Sequence, residues 1–184
     1  MNPVVLKSYA KLNLYLQVLK LRKDNYHSIK TLFERVDLAD KIILKTRRDK
    51  KIKITCSCSG VPSDNSNLAY RSAKLLQDKF KVNSGVDIKI IKRIPAGAGL
   101  GGGSGNAAFT LLGLNRLWKL NLGQGRLVKY AREIGSDVAF FIYNCRFALG
   151  SGRGDKIKPL KALNKVQLWH ILVVPKIRVS TPLI

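Results

Sequence analysis

The chain has 184 residues and carries 34 Lys+Arg against 11 Asp+Glu, a formal net charge of +23. Its hydrophobic share of 46% permits a packed core and excludes a mainly disordered chain, while no apolar run approaches the roughly 18–20 residues of a membrane-spanning helix. The N-terminus has no secretory-leader pattern and three cysteines cannot build a disulfide framework, so a soluble protein in the reducing cytoplasm is expected.

In chain order, Leu12, Leu14, Leu16 and Val18 alternate with polar neighbours, the pattern of a half-buried strand. Arg22 to His27 is polar, and Asp24-Asn25 signals a turn that tolerates left-handed backbone. Ile42 to Leu44 and Ile52 to Thr55 read as two short strands, followed by a loop from Ser59 to Ser66. Leu68, Ala69, Ala73, Leu76 and Phe80 have helical spacing, with Asn65 or Ser66 expected as N-cap. Val86, Ile88 and Ile90 predict a strand running towards Pro95. The apolar series from Phe109 to Trp118 predicts a helix, and Leu127, Val128, Ala131 and Ile134 predict another, stopped by Gly135. Phe147 to Leu149 reads as a strand, and Val166 to Val174 as a final apolar one. This mixture predicts an α+β fold, with a boundary in the lysine-rich stretch at 158–165.

Six of the 15 glycines lie between Gly97 and Gly105. Glycine at that density lets backbone N–H groups approach a ligand, and the helix that follows adds the positive end of its dipole. No acidic residue occurs from Ile88 to Arg132, so nothing nearby in sequence repels an anion. Strand, glycine loop and helix therefore predict a phosphate cradle. It is not a Walker A loop, which requires Gly-Lys-Ser/Thr, and it lacks the acid that a dinucleotide fold carries about 20 residues on. Kinase H-R-D and D-F-G elements are also missing.

The segment Pro95 to Ala108 resembles the second motif of the GHMP kinase superfamily (galactose, homoserine, mevalonate and phosphomevalonate kinases). Tyr9 to Leu14, Asp24 to His27 with Thr31 to Phe33, and Gly135 to Phe141 resemble, in register, the branch that acts on a cytidine diphosphate ester of methylerythritol in the non-mevalonate isoprenoid route. The resemblance implies a ribosomal-protein-S5-domain-2-like N-terminal domain over residues 1–160 and the start of a C-terminal α+β domain over 161–184. It implies transfer of the γ-phosphate of ATP, with Mg²⁺, to the substrate's 2-hydroxyl. Lys11 and Asp137 would be the catalytic pair: a carboxylate can accept the hydroxyl proton and an ammonium can steady the developing charge. ATP would be held by Pro95, Ala96, Gly97, Ala98, Gly99, Leu100, Gly101, Gly102, Gly103, Ser104 and Gly105, with Asn67 and Leu68 bordering the adenine. Tyr26 would stack on the cytosine, His27 would hydrogen-bond it, and Asn13 would contact the diol.

Ser104 is open to two roles, phosphate or Mg²⁺ ligand and helix cap. Two residues depart from the superfamily pattern: Asn25 stands where glycine is common, and Gly105 where a second serine is common. The resemblance further implies that a third glycine-rich motif and a cytosine-stacking aromatic would follow Ile184. Cys56 and Cys58, expected on one strand face, are read as unliganded and Cys145 as buried; Trp118 and Trp169 are read as core. The alternatives are another small-molecule kinase of the superfamily, a non-catalytic relative, and a basic nucleic-acid-binding protein. The intact motifs argue against nucleic acid, and nothing suggests a membrane partner.

Overall fold

The computed structural model describes residues 2–25, 27–163 and 165–175. Two long strands dominate it, β1 (Val4–Leu21) and β2 (His27–Arg47), joined by a turn in which Asn25 takes φ 60°. Asparagine tolerates that left-handed conformation at modest cost, so the turn forms without glycine. β1 runs antiparallel to β2 along nearly its whole length. The other edge of β2 is shared. Its first half pairs with β5 (Phe147–Gly152) and its second half with β4 (Gly85–Ile91), both antiparallel. β3 (Ile52–Cys56) adds parallel to β4, and β6 (Lys156–Pro159) adds antiparallel to β5.

One face of this sheet carries the helices α1 (Leu68–Lys79), α2 (Gly102–Leu117), α3 (Gln124–Ile134) and α4 (Val138–Ile142). α2 is the central one and packs against β1, β2 and the other three helices. That position explains why its sequence is apolar all round instead of striped. The core between the layers holds Phe33, Ile42, Leu44, Ile88 and Ile90 from the sheet, and Leu76, Leu111, Leu114 and Phe140 from the helices. Phe33 and Phe140 meet with ring centroids 4.9 Å apart.

Several expectations are corrected. The N-cap of α1 is Asn67, whose Oδ1 accepts the N–H of Ala69 at 2.9 Å, not Asn65 or Ser66. Leu14, Leu16 and Val18 are exposed, although Thr31, the partner of Leu16 on β2, is buried. Cys58 lies outside β3, which ends at Cys56, so the two cysteines do not share a strand face. Cys145 is half-buried, enough to push its thiol pKa up through desolvation. Val166 to Val174, expected as a strand, forms none and pairs with no strand among the described residues. Trp169 is 88% exposed instead of core, alongside Ile171 at 95% and Val173 at 86%. Val166, Leu168, Leu172 and Val174 are exposed too, though less so than these three, and His170 Nε2 lies 2.7 Å from the buried Glu34 carboxylate on β2. Trp118 does pack against the core. β6 and α4 had no clear sequence signal, being four and five residues long. Residues 176–184 and Tyr26 lie outside the described residues.

The β3–β4 edge depends on a close backbone approach. The N–H of Gly85 donates to Asp49 O at 2.6 Å, and a Cβ on Gly85 would lie 2.1 Å from Lys51 O and 2.5 Å from Asp49 O. Gly85→Ala is expected to destabilise the chain by about 1–3 kcal/mol, the usual scale of overpacking, read as a lower Tm in thermal unfolding. An unchanged Tm would show that the edge relaxes freely.

Candidate functional site

β4 delivers the chain into the glycine loop, and α2 carries it out. Gly97, Gly99 and Gly101 take φ values of 75°, 71° and 68°, a left-handed series that glycine adopts without steric cost. At Gly97 and Gly99 a Cβ would meet open space, so only the backbone angle calls for glycine there. Gly101 is different. A Cβ would lie 2.8 Å from Lys11 Cγ and 3.2 Å from Phe141 Cζ, so the absent side chain lets the loop sit directly on β1 and α4. The N–H of Lys11 donates to Leu100 O at 2.9 Å and locks the same seam.

Gly101 is also the N-cap of α2, so Ser104 sits inside the first turn and does not cap the helix. Gly105 is buried with its Cβ position 2.8 Å from Tyr9 O, facing β1. A serine at 105 would press on that strand, so the departure from the superfamily pattern leaves the loop backbone intact.

The loop walls a cleft of about 370 Å³. Its lining includes every residue from Pro95 to Ser104, together with Gly60 to Pro62, Asn67, Leu68, Lys92 and Asn106. Asn67 and Leu68 thus border the cleft from the start of α1. Lys92 is the one charged side chain in that lining and had not stood out in the sequence. A Cβ on Gly102 would be 3.1 Å from its Nζ. Asn106 Oδ1 is buried without a hydrogen-bond partner among the described residues. A larger hollow, about 430 Å³ between β2 and residues 167–172, lies apart from the glycine loop.

Lys11 and Asp137 are 126 residues apart in sequence, and the fold brings them to 3.3 Å, Nζ to Oδ2. The Lys11 side chain is 8% exposed and that of Asp137 30%, so the ammonium is sheltered while the carboxylate keeps an open side. Asp137 is the N-cap residue of α4 but makes no side-chain capping bond, so its carboxylate is not tied to the helix end. Lys11 Nζ also donates to Asn13 Oδ1 at 2.5 Å and lies 5.5 Å from the centre of the Phe33 ring. Asn13 Nδ2 donates to Thr31 Oγ1 at 2.7 Å, and the Thr31 hydroxyl donates to Tyr15 O at 2.7 Å. This relay fixes the orientation of both Asn13 and the ammonium. Asn13 therefore faces Lys11 and Thr31 instead of standing as a solvated strand-edge group.

The arrangement pairs an oriented cation with an accessible carboxylate behind a glycine loop that lines a cleft, a geometry suited to binding a polyphosphate and accepting a proton beside it. His27 opens β2 at the exposed tip of the ribbon, opposite Leu21, and is not part of the cleft wall. Among the described residues no three His, Cys, Asp or Glu side chains cluster as a metal cage. Nor is any described helix long and apolar enough to cross a membrane.

Residues 67–145 match the family described as GHMP kinases N terminal domain. The chain is 47% identical over 179 residues to a 4-diphosphocytidyl-2-C-methyl-D-erythritol kinase of Brevibacillus brevis, covering 97% of this chain and 60% of that protein. It is 46% identical over 175 residues to the kinase of the same name from Bacillus subtilis, covering 95% and 60%. It spans about 60% of the length of these curated relatives. A crystal structure of 4-(cytidine 5'-diphospho)-2C-methyl-D-erythritol kinase superposes with a TM-score of 0.73 at 38% identity, over 85% of this chain and 55% of that one. A mevalonate kinase structure aligns with a TM-score of 0.66 at 13% identity over 86% and 56%, a likeness of fold alone. Sheet topology and glycine loop agree with the match over residues 67–145: the chain carries a GHMP kinase N-terminal domain.

Proposed function

We propose that the chain supplies the nucleotide-binding and catalytic half of a kinase that transfers the γ-phosphate of ATP to the 2-hydroxyl of 4-diphosphocytidyl-2-C-methyl-D-erythritol, in the cytoplasmic non-mevalonate route to isoprenoids. Similarity to kinases of that name over 97% of the chain supports the reaction. The Lys11–Asp137 pair packed behind Gly101 carries the residue assignment. Residues 1–160 act as the N-terminal domain, and 161–184 begin a second one.

ATP lies in the glycine cleft with its phosphates against the N–H groups of the loop and the first turn of α2, where backbone dipoles favour negative charge. Mg²⁺ neutralises phosphate charge when bound. It usually takes few protein ligands and keeps several waters, which fits a site without a carboxylate cage, and the Ser104 hydroxyl is the candidate contact. The 2-hydroxyl oxygen attacks the γ-phosphorus as the bond to the ADP oxygen breaks, and Asp137 accepts the hydroxyl proton. Lys11, oriented by Asn13, stabilises charge on the reacting oxygens. Tyr26 and His27 hold the cytosine by stacking and hydrogen bonding, His27 from the ribbon tip.

The test is ADP release with Mg²⁺–ATP and, in turn, the cytidylated methylerythritol, mevalonate and homoserine. It is to be run on this chain and on this chain joined to the remaining C-terminal part of the Bacillus subtilis relative. Turnover confined to the first substrate is expected; turnover on either of the others would redirect the assignment within the superfamily. Asp137→Asn is expected to lower kcat by about 10²–10⁴, the range for losing a positioned base, with ATP affinity retained in a binding titration. Normal kcat would remove Asp137 from the reaction. Gly101→Ala, which places a methyl group 2.8 Å from Lys11 Cγ at φ 68°, is expected to weaken both ATP binding and turnover. Wild-type behaviour would mean that the seam is not needed.

A further inference from the structure

Asp40 on β2 is fully buried, and among the described residues every hydrogen bond to its carboxylate comes from one short segment. Oδ1 accepts the N–H of Arg93 at 2.7 Å and of Ile94 at 2.9 Å, and Oδ2 accepts from the ammonium of Lys92. That segment is the link between β4 and Pro95. The β2–β4 ladder ends at the pair Lys41 and Ile91, so the next N–H groups have no strand to bond. Ser57 Oγ accepts that of Lys92 at 2.9 Å, and Asp40 takes the following two. A side-chain carboxylate thus continues the strand edge for two residues.

What it holds leads directly to the loop. Ile94 packs with Ala10 and Leu100 in a small buried cluster, and a Cβ on Gly102 would meet Ile94 Cγ2 at 3.1 Å. The Ile94 side chain is therefore the floor on which the first residue of α2 rests. Lys92, through the same carboxylate, stands over Gly102 and in the cleft wall. A buried ion is costly unless paired and hydrogen-bonded, and Asp40 meets both conditions only with the link in this conformation.

We infer that Asp40 is a positioning residue. It fixes the take-off of the glycine loop and the orientation of Lys92, so the cleft is preformed before a nucleotide arrives. The consequence for ATP affinity rests on the nucleotide reading above; the consequence for loop order does not. A neutral asparagine could still accept the backbone donors, but its amide N–H groups would face the Lys92 ammonium, donor against donor.

Hydrogen exchange of the full chain without nucleotide, with ATP titration alongside, tests this on wild type and Asp40→Asn. In wild type the Arg93 and Ile94 amides are expected to exchange as slowly as those of β4. In Asp40→Asn the amides from Gly99 to Gly103 are expected to exchange about tenfold faster, the scale of losing a charged hydrogen bond, with α3 unchanged and ATP affinity reduced by a similar factor. An unchanged loop, or equal acceleration in α3, would make Asp40 a general stabilising residue and overturn the inference. Should the variant fail to fold, the wild-type rates decide: exchange of Arg93 and Ile94 at open-loop rates overturns it, and strand-like protection supports it. A wild type that binds no ATP would remove the nucleotide reading while the exchange comparison still judges Asp40.

Discussion

The whole site depends on how closely the start of α2 lies against β1. Gly101 touches the Lys11 side chain and Gly105 faces Tyr9 O, both at distances where a Cβ would not fit. The N–H of Lys11 closes the seam on Leu100 O. Because loop and strand share this contact, the backbone that can receive phosphates and the ammonium that can serve the reaction are held in one rigid unit. The glycines thus have two separate physical reasons. Gly97 and Gly99 supply a backbone angle, Gly105 supplies absent volume, and Gly101 supplies both.

β2 is the organising strand. Three of its polar side chains, Thr31, Glu34 and Asp40, are buried, and each holds a different part of the molecule. Thr31 anchors Asn13 and through it Lys11. Glu34 receives His170 and so docks the segment 165–175. Asp40 captures the entry to the glycine loop. Buried polar groups are expensive unless satisfied, and here each is satisfied only by the native placement of a distant segment. Specificity of assembly and placement of the site come from the same contacts.

The excess positive charge has a different character. Exposed pairs such as Lys74–Asp78 and Lys79–Glu133 neutralise little of it and contribute little stability. Arg47 is better placed, bonding Asp49 and Asp87 at 2.7 Å, and it holds the Asp49 carboxyl down to about 2. The acid-free stretch from Ile88 to Arg132 contains the whole glycine loop, and the carboxylates that the fold brings beside it, Asp40 and Asp137, are paired with Lys92 and Lys11. The rest of the +23 charge has no structural counterpart at the site.

The sequence alone determined the local features: the helix over 68–79, the strand at 86–90, the left-handed turn at Asn25 and the glycine cradle. Each is written in short-range periodicity or backbone preference, which neighbouring residues settle among themselves. Resemblance to known motifs nominated Lys11 and Asp137, but no local rule could join residues so far apart. Only the tertiary structure decided that they meet, that Asn13 faces the ammonium, and that Lys92 enters the cleft wall under the control of Asp40. The apolar run from Val166 to Val174 reads as a strand, yet pairing needs a neighbouring strand, and none among the described residues offers one, so no strand forms there and Trp169 lies exposed. Burial is a property of what packs on a segment, and the segment's own pattern states only which side could be covered.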